Sequence, residues 1–131
     1  MERNEKTRAL LAAFGCALAY LLAGKALTAV LPQVPEEAAR MWAFVHRCAA
    51  APIVEELVFR GAIQQLARPL GERQAVTLQA VLFAVQHRGP AGMAYALVCG
   101  LVLGTIRSRT GSVWPGMLLH TLNNLLVFAA G

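Results

Sequence analysis

Ala51-Pro52-Ile53-Val54-Glu55-Glu56-Leu57-Val58-Phe59-Arg60-Gly61 sets two adjacent carboxylates and an arginine inside an otherwise apolar, helix-like segment. In a bilayer, an unpaired charge at mid-depth costs at least ~2.5 kcal/mol, so an ionisable group there is a functional candidate by default. Whether the surroundings are lipid is decided by the rest of the chain.

The 131 residues are 57% hydrophobic and only 15% charged, with a mean hydropathy of +0.53. Soluble domains carry roughly 25% charged residues. The composition predicts an integral membrane protein. Because lipid satisfies no backbone hydrogen bond, that means an all-α, polytopic helix bundle. At ~20 residues per span, the length allows one membrane-embedded domain, residues 1–131, of about four to five helices around a buried polar site. The net charge is +5, from twelve Lys and Arg against seven Glu, with no Asp. The basic residues gather at the ends of apolar segments instead of along one face. They anchor spans among membrane lipids and are not a footprint for nucleic acid. Cys16, Cys48 and Cys99 lie far apart without any CxxC spacing and read as small buried hydrophobes.

Residues 9–31 form a first apolar span, too long for a signal-peptide core and ended by Pro32 and Pro35. Lys25 snorkels toward its end. Residues 36–66 form the next helix, which is interfacial around Arg40, Trp42, His46 and Arg47. Pro52 kinks it one turn before Glu55. Polar turns at 68–73 and 107–112 bracket two apolar segments, 74–87 and 91–106. In the second of these, Ala96, Gly100 and Gly104 make a small-residue ridge suited to close packing. The last span covers 113–130, with Trp114 and Pro115 at its entrance. Arg3, Lys6, Arg8, Arg68, Arg73, Arg107 and Arg109 fall on one side of this arrangement, and Arg40, Arg47 and Arg88 on the other. The N-terminus is therefore expected in the cytoplasm.

The polar residues inside the spans recur at four-residue spacing: Glu56 with Arg60, Phe83 leading to His87, and His120 with Asn124. That spacing puts both members on one helix face, so the stripes have to converge to be buried. Glu56 and Arg60 are placed for an internal ion pair. Glu55, about 100° round the helix, has no cation on its own helix and is poised to accept a proton as a general base. His120 and Asn124 serve either as interhelical glue or as donors to a developing oxyanion.

In this order, the three motifs resemble those of the CAAX-protease and bacteriocin-processing family of intramembrane proteases. The approach Gly111-Ser112-Val113-Trp114-Pro115 to the last motif is also similar. The resemblance covers residues 51–128, the family-like catalytic core. It implies hydrolysis of a peptide bond in a membrane-associated protein or peptide, such as a C-terminal tail or a leader, in a prokaryotic cytoplasmic membrane. By residue, it implies that Glu55 and His87 activate a water, and that His120 and Asn124 stabilise the oxyanion. Glu56, Arg60 and Phe83 would support that geometry. No cofactor is expected, although Glu55, His87 and His120 are the ligands if zinc is used instead. The competing functions are a non-catalytic immunity or chaperone subunit that binds a peptide through the same polar core, and a proton-coupled carrier, for which the chain lacks paired repeats.

Overall fold

The computed structural model describes residues 2–131 and contains only helices among them. Helix α1 is Glu2–Val30. Residues 36–66 run as one continuous helical element, α2. It is followed by α3 (Glu72–Ala84), α4 (Gly89–Thr110) and α5 (Trp114–Ala130). Five helices agree with the four to five expected. Two of them, Glu2–Val30 and Gly89–Thr110, are long and apolar enough to cross a membrane.

The burial pattern is the reverse of a soluble bundle. Leu11, Phe14, Leu18, Leu22, Trp114, Leu118 and Leu126 are exposed, whereas the interior combines a few large apolar side chains, such as Phe59, Ile63 and Phe83, with many alanines and glycines and with Glu56, Arg60, Gln64, Gln79 and His120. Lipid gives no reason to bury leucine. Helices in it associate through small residues and shared hydrogen bonds. Helix α1 shows this most simply. Its only buried residues are Ala9, Ala13 and Ala17, one every fourth position. The last two join the core with Phe59, Ile63 and Ala67 of α2, and Tyr20 meets Phe59 edge to face at 5.5 Å.

Helices α3 and α4 share the largest interface, and the small-residue ridge expected on α4 makes it. Ala96, Gly100 and Gly104 are all buried, and a Cβ at Gly100 would stand 2.9 Å from Ala80 Cα. Two glutamines seal the same region. Gln79 donates to the Gly100 carbonyl at 2.7 Å and Gln64 to the Gly104 carbonyl at 2.9 Å.

Helix α2 is where the structure adds most to the sequence reading. Pro52 was expected to kink a plain α-helix. The hydrogen-bond register changes on both sides of it. Turns His46–Ala50 and Glu56–Ile63 are π-helical, separated by the α-helical Ala51–Glu55. The Ala51 N–H reaches the His46 carbonyl, five residues back, next to the proline that has no N–H to offer the Cys48 carbonyl. Such widened turns shift the side chains that follow and cluster at functional sites. Glu55 and Glu56 lie at the junction of the α-helical and second π-helical stretches. A second departure concerns His87. The helix expected to run to it stops at Ala84, because the chain turns ahead of Gly89, whose φ is +71°, and Pro90. The histidine sits in that turn, with its N–H bonded to the Ala84 carbonyl at 3.0 Å.

Candidate active site

Two helices supply the centre of the site. Arg60 lies one turn beyond Glu56 on α2, and its Nη1 is 3.1 Å from Glu56 Oε1 with both side chains fully buried. From α5, His120 brings its Nδ1 to 2.8 Å from the same oxygen. A carboxylate beside a guanidinium only accepts, so Nδ1–H is the donor and Nε2 is turned the other way. There it stands 3.5 Å from Glu55 Oε2, too long for a formed hydrogen bond and close enough for both groups to face one small molecule. The adjacent carboxylates have different surroundings: Glu56 is held by Arg60 and His120. Glu55 has no partner on its own helix, but it does have a neighbour on another.

Phe83 is the hub of the site. Its ring packs edge to face on His120, His87 and Phe59, with centroids 5.8, 4.7 and 5.1 Å away. The Arg60 guanidinium carbon lies 4.4 Å from its centroid, a cation–π contact that offsets part of the cost of burying the charge. The Phe83 carbonyl accepts from His87 Nδ1 at 3.0 Å, so the motif Phe83-x-x-x-His87 is a backbone bond that fixes the ring and leaves Nε2 as an acceptor.

Asn124 is held from both ends. Its Nδ2 donates to the Arg47 carbonyl at 2.9 Å. Its Oδ1 accepts from Asn123 Nδ2 at 3.3 Å, and Asn123 in turn accepts from the Tyr95 hydroxyl. One hydrogen of the Asn124 amide is thereby engaged and the other is left for a ligand. Both readings of this residue, glue and donor, are compatible with that geometry.

Glu55, His87, His120 and Asn124 all line one cavity of about 760 Å³, with His46 and Arg47 from the upper part of α2, a volume in the range of small-molecule and peptide pockets. It opens at the His87 end of the bundle, the side that the Pro52 irregularity and the short α3 helix suggested. Among the described residues, no three His, Cys, Asp or Glu side chains are grouped so that they could hold a metal ion. The set Glu55, His87 and His120 does not meet that condition as arranged.

Four residues were not singled out from the sequence. Gly116 packs so closely on Glu56 that a Cβ would stand 3.0 Å from its Oε2, and the only hint was its place beside the last motif. Asn123, the chain neighbour of Asn124, orients that amide. Gln64 and Gln79, polar residues in apolar segments, carried the same signal as Glu55 without a motif around them.

Residues 37–126 match a family model described as type II CAAX prenyl endopeptidase, Rce1-like. No curated protein and no solved structure matches the chain.

Proposed function

The chain belongs to the Rce1-like family of type II CAAX prenyl endopeptidases, and from that premise we propose that it is a metal-free, glutamate-type intramembrane endopeptidase. The observation that carries the mechanism is the 3.5 Å approach of Glu55 Oε2 to His120 Nε2 on the wall of a shared cavity. A water between the carboxylate and His87 Nε2 loses a proton to Glu55 as it attacks the scissile carbonyl, and Glu55 returns that proton to the leaving amine. The oxyanion accepts from Nε2–H of doubly protonated His120 and from the second amide hydrogen of Asn124. Each such preorganised donor is worth ~3–4 kcal/mol of barrier. Glu56, held by Arg60, fixes the orientation of His120 through Nδ1, and Phe83 spaces the two histidines. No step of this mechanism is routed through a metal.

The substrate we propose is a C-terminal tail or leader of a membrane-associated protein. Arg68, Arg73, Arg107 and Arg109 flank the turns at the opposite end of the bundle from the cavity mouth. By the positive-inside rule that end is cytoplasmic, in a prokaryotic cytoplasmic membrane, and the mouth meets exported proteins. The test is a comparison of membrane proteomes from cells with the wild-type protein, without it, and with Glu55→Ala. Substrates should keep an extra membrane-embedded segment in both of the latter. A Glu55→Ala proteome that matches the wild type contradicts the proposal.

A further inference from the structure

A second cavity, of about 150 Å³, lies at the far end of the bundle from the candidate active site. Its wall includes Arg60, Gln64, Arg68, Glu72, Arg107 and Ser108. Glu72 is already engaged, with Arg68 Nε at 3.6 Å and with the Ser108 hydroxyl, which donates to it. Arg60 has Glu56 behind it. Three guanidinium groups against these two carboxylates leave one positive charge unmatched.

The unmet hydrogen bonds point the same way. Arg60 is fully buried, and its Nε and Nη2 have no hydrogen-bond partner; Arg107 Nε is also without one. Gln64 Nε2 donates to the Gly104 carbonyl and to Ser108 Oγ, yet its Oε1 accepts nothing. Buried polar atoms without partners cost ~1–3 kcal/mol each and are few in native proteins, so each calls for a ligand or a water. Waters satisfy donors but carry no charge.

We propose that this cavity binds a phosphate group in a form that keeps one P–O–H. Its unprotonated oxygens accept from Arg60 Nε, Arg60 Nη2 and Arg107 Nε, and its hydroxyl donates to Gln64 Oε1. Planar guanidinium groups suit phosphate in geometry as well as charge. At ~30 Å³ for each water it could hold, the cavity has room for the four oxygens. The site lies at the arginine-rich end of the bundle, so the phosphate comes either from solution or from the headgroup of a phosphomonoester lipid. The assignment uses none of Glu55, His87, His120 or Asn124, and shares with the protease reading only Arg60, whose Nη1 faces Glu56.

The test is the thermal midpoint of the purified protein. In neutral detergent, inorganic phosphate is titrated against chloride at matched ionic strength. In phosphatidylcholine vesicles, preparations with and without phosphatidic acid are compared. The expected result is a saturable rise in midpoint in at least one arm. The rise is lost in Arg107→Gln and kept in Arg109→Gln, whose exposed side chain is outside the cavity. Arg107→Lys keeps the charge but not the fork, and serves should Arg107→Gln fail to fold; it should weaken the response about tenfold, one charge-assisted hydrogen bond. A response to phosphate alone identifies the dissolved ion, and a response to phosphatidic acid alone identifies the headgroup. No saturable response in either arm, or one that neither Arg107 variant weakens, overturns the assignment.

Discussion

Glu56→Gln separates the two carboxylates most sharply. Glu56 is fully buried, 3.1 Å from Arg60 and 2.8 Å from His120. The substitution keeps the shape and removes the charge, so Arg60 is left buried beside a neutral amide. Removing one partner of a buried ion pair costs ~3–5 kcal/mol. The Phe83 ring packs on the guanidinium in both proteins, so that loss is expected in full. A carboxamide also no longer compels His120 to donate from Nδ1, since its NH2 group can face the ring, and the orientation that aims Nε2 into the cavity is no longer fixed. In a serine protease triad, the same kind of change at the orienting carboxylate lowers kcat about 10⁴-fold; here, with Glu55 intact, a loss of about 10²–10⁴-fold is expected. Stability is read by denaturant titration in detergent micelles, and activity by cleavage of a quenched fluorescent membrane peptide in proteoliposomes. The double variant Glu56→Gln/Arg60→Met removes both charges. It should recover most of the stability and none of the activity, a coupling that a double-mutant cycle isolates. Wild-type stability and cleavage in Glu56→Gln would refute the assignment of Glu56 as the residue that holds His120.

Gly116→Ala puts a Cβ 3.0 Å from Glu56 Oε2. The carboxylate is pinned by Arg60 and His120, so the strain should cost ~1–3 kcal/mol and lower kcat more than it raises KM. Gly100→Ala sets a Cβ 2.9 Å from the Ala80 backbone. It should loosen the α3–α4 interface by a similar ~1–3 kcal/mol, seen as a lower unfolding midpoint. Cleavage by the purified protein should survive a strong chelator without loss; inactivation that zinc reverses would move Glu55, His87 and His120 from a water-activating set to a ligand set.

The helical fold could be read from residue types alone, because lipid admits few other solutions for a chain this apolar. The ridge Ala96, Gly100 and Gly104 lies where its spacing put it, and Glu56–Arg60 is the ion pair that the i, i+4 order predicts. What the sequence could not carry was the geometry between helices. That His120 meets both carboxylates, one through each ring nitrogen, is set by how α2 and α5 pack, and hydrophobic periodicity records neither that packing nor the π-helical turns beside Pro52. The helix reaching His87 was overextended for a related reason: an apolar run does not mark where the backbone turns, and Gly89 sets that point by its positive φ. Asn123 lies on a different face of α5 from Asn124, and spacing alone does not show that such adjacent side chains bond to each other. Gly116 has no side chain to announce itself, and its role is visible only as the closeness of Glu56.

Glu55→Gln tests the central claim most directly. The variant keeps the size of the side chain and leaves the Glu56–Arg60–His120 group untouched, so the fold and substrate binding should persist. With no group to take the proton from water, single-turnover cleavage in proteoliposomes should fall by about 10²–10⁴-fold. Cleavage at the wild-type rate by a folded Glu55→Gln protein would contradict the account.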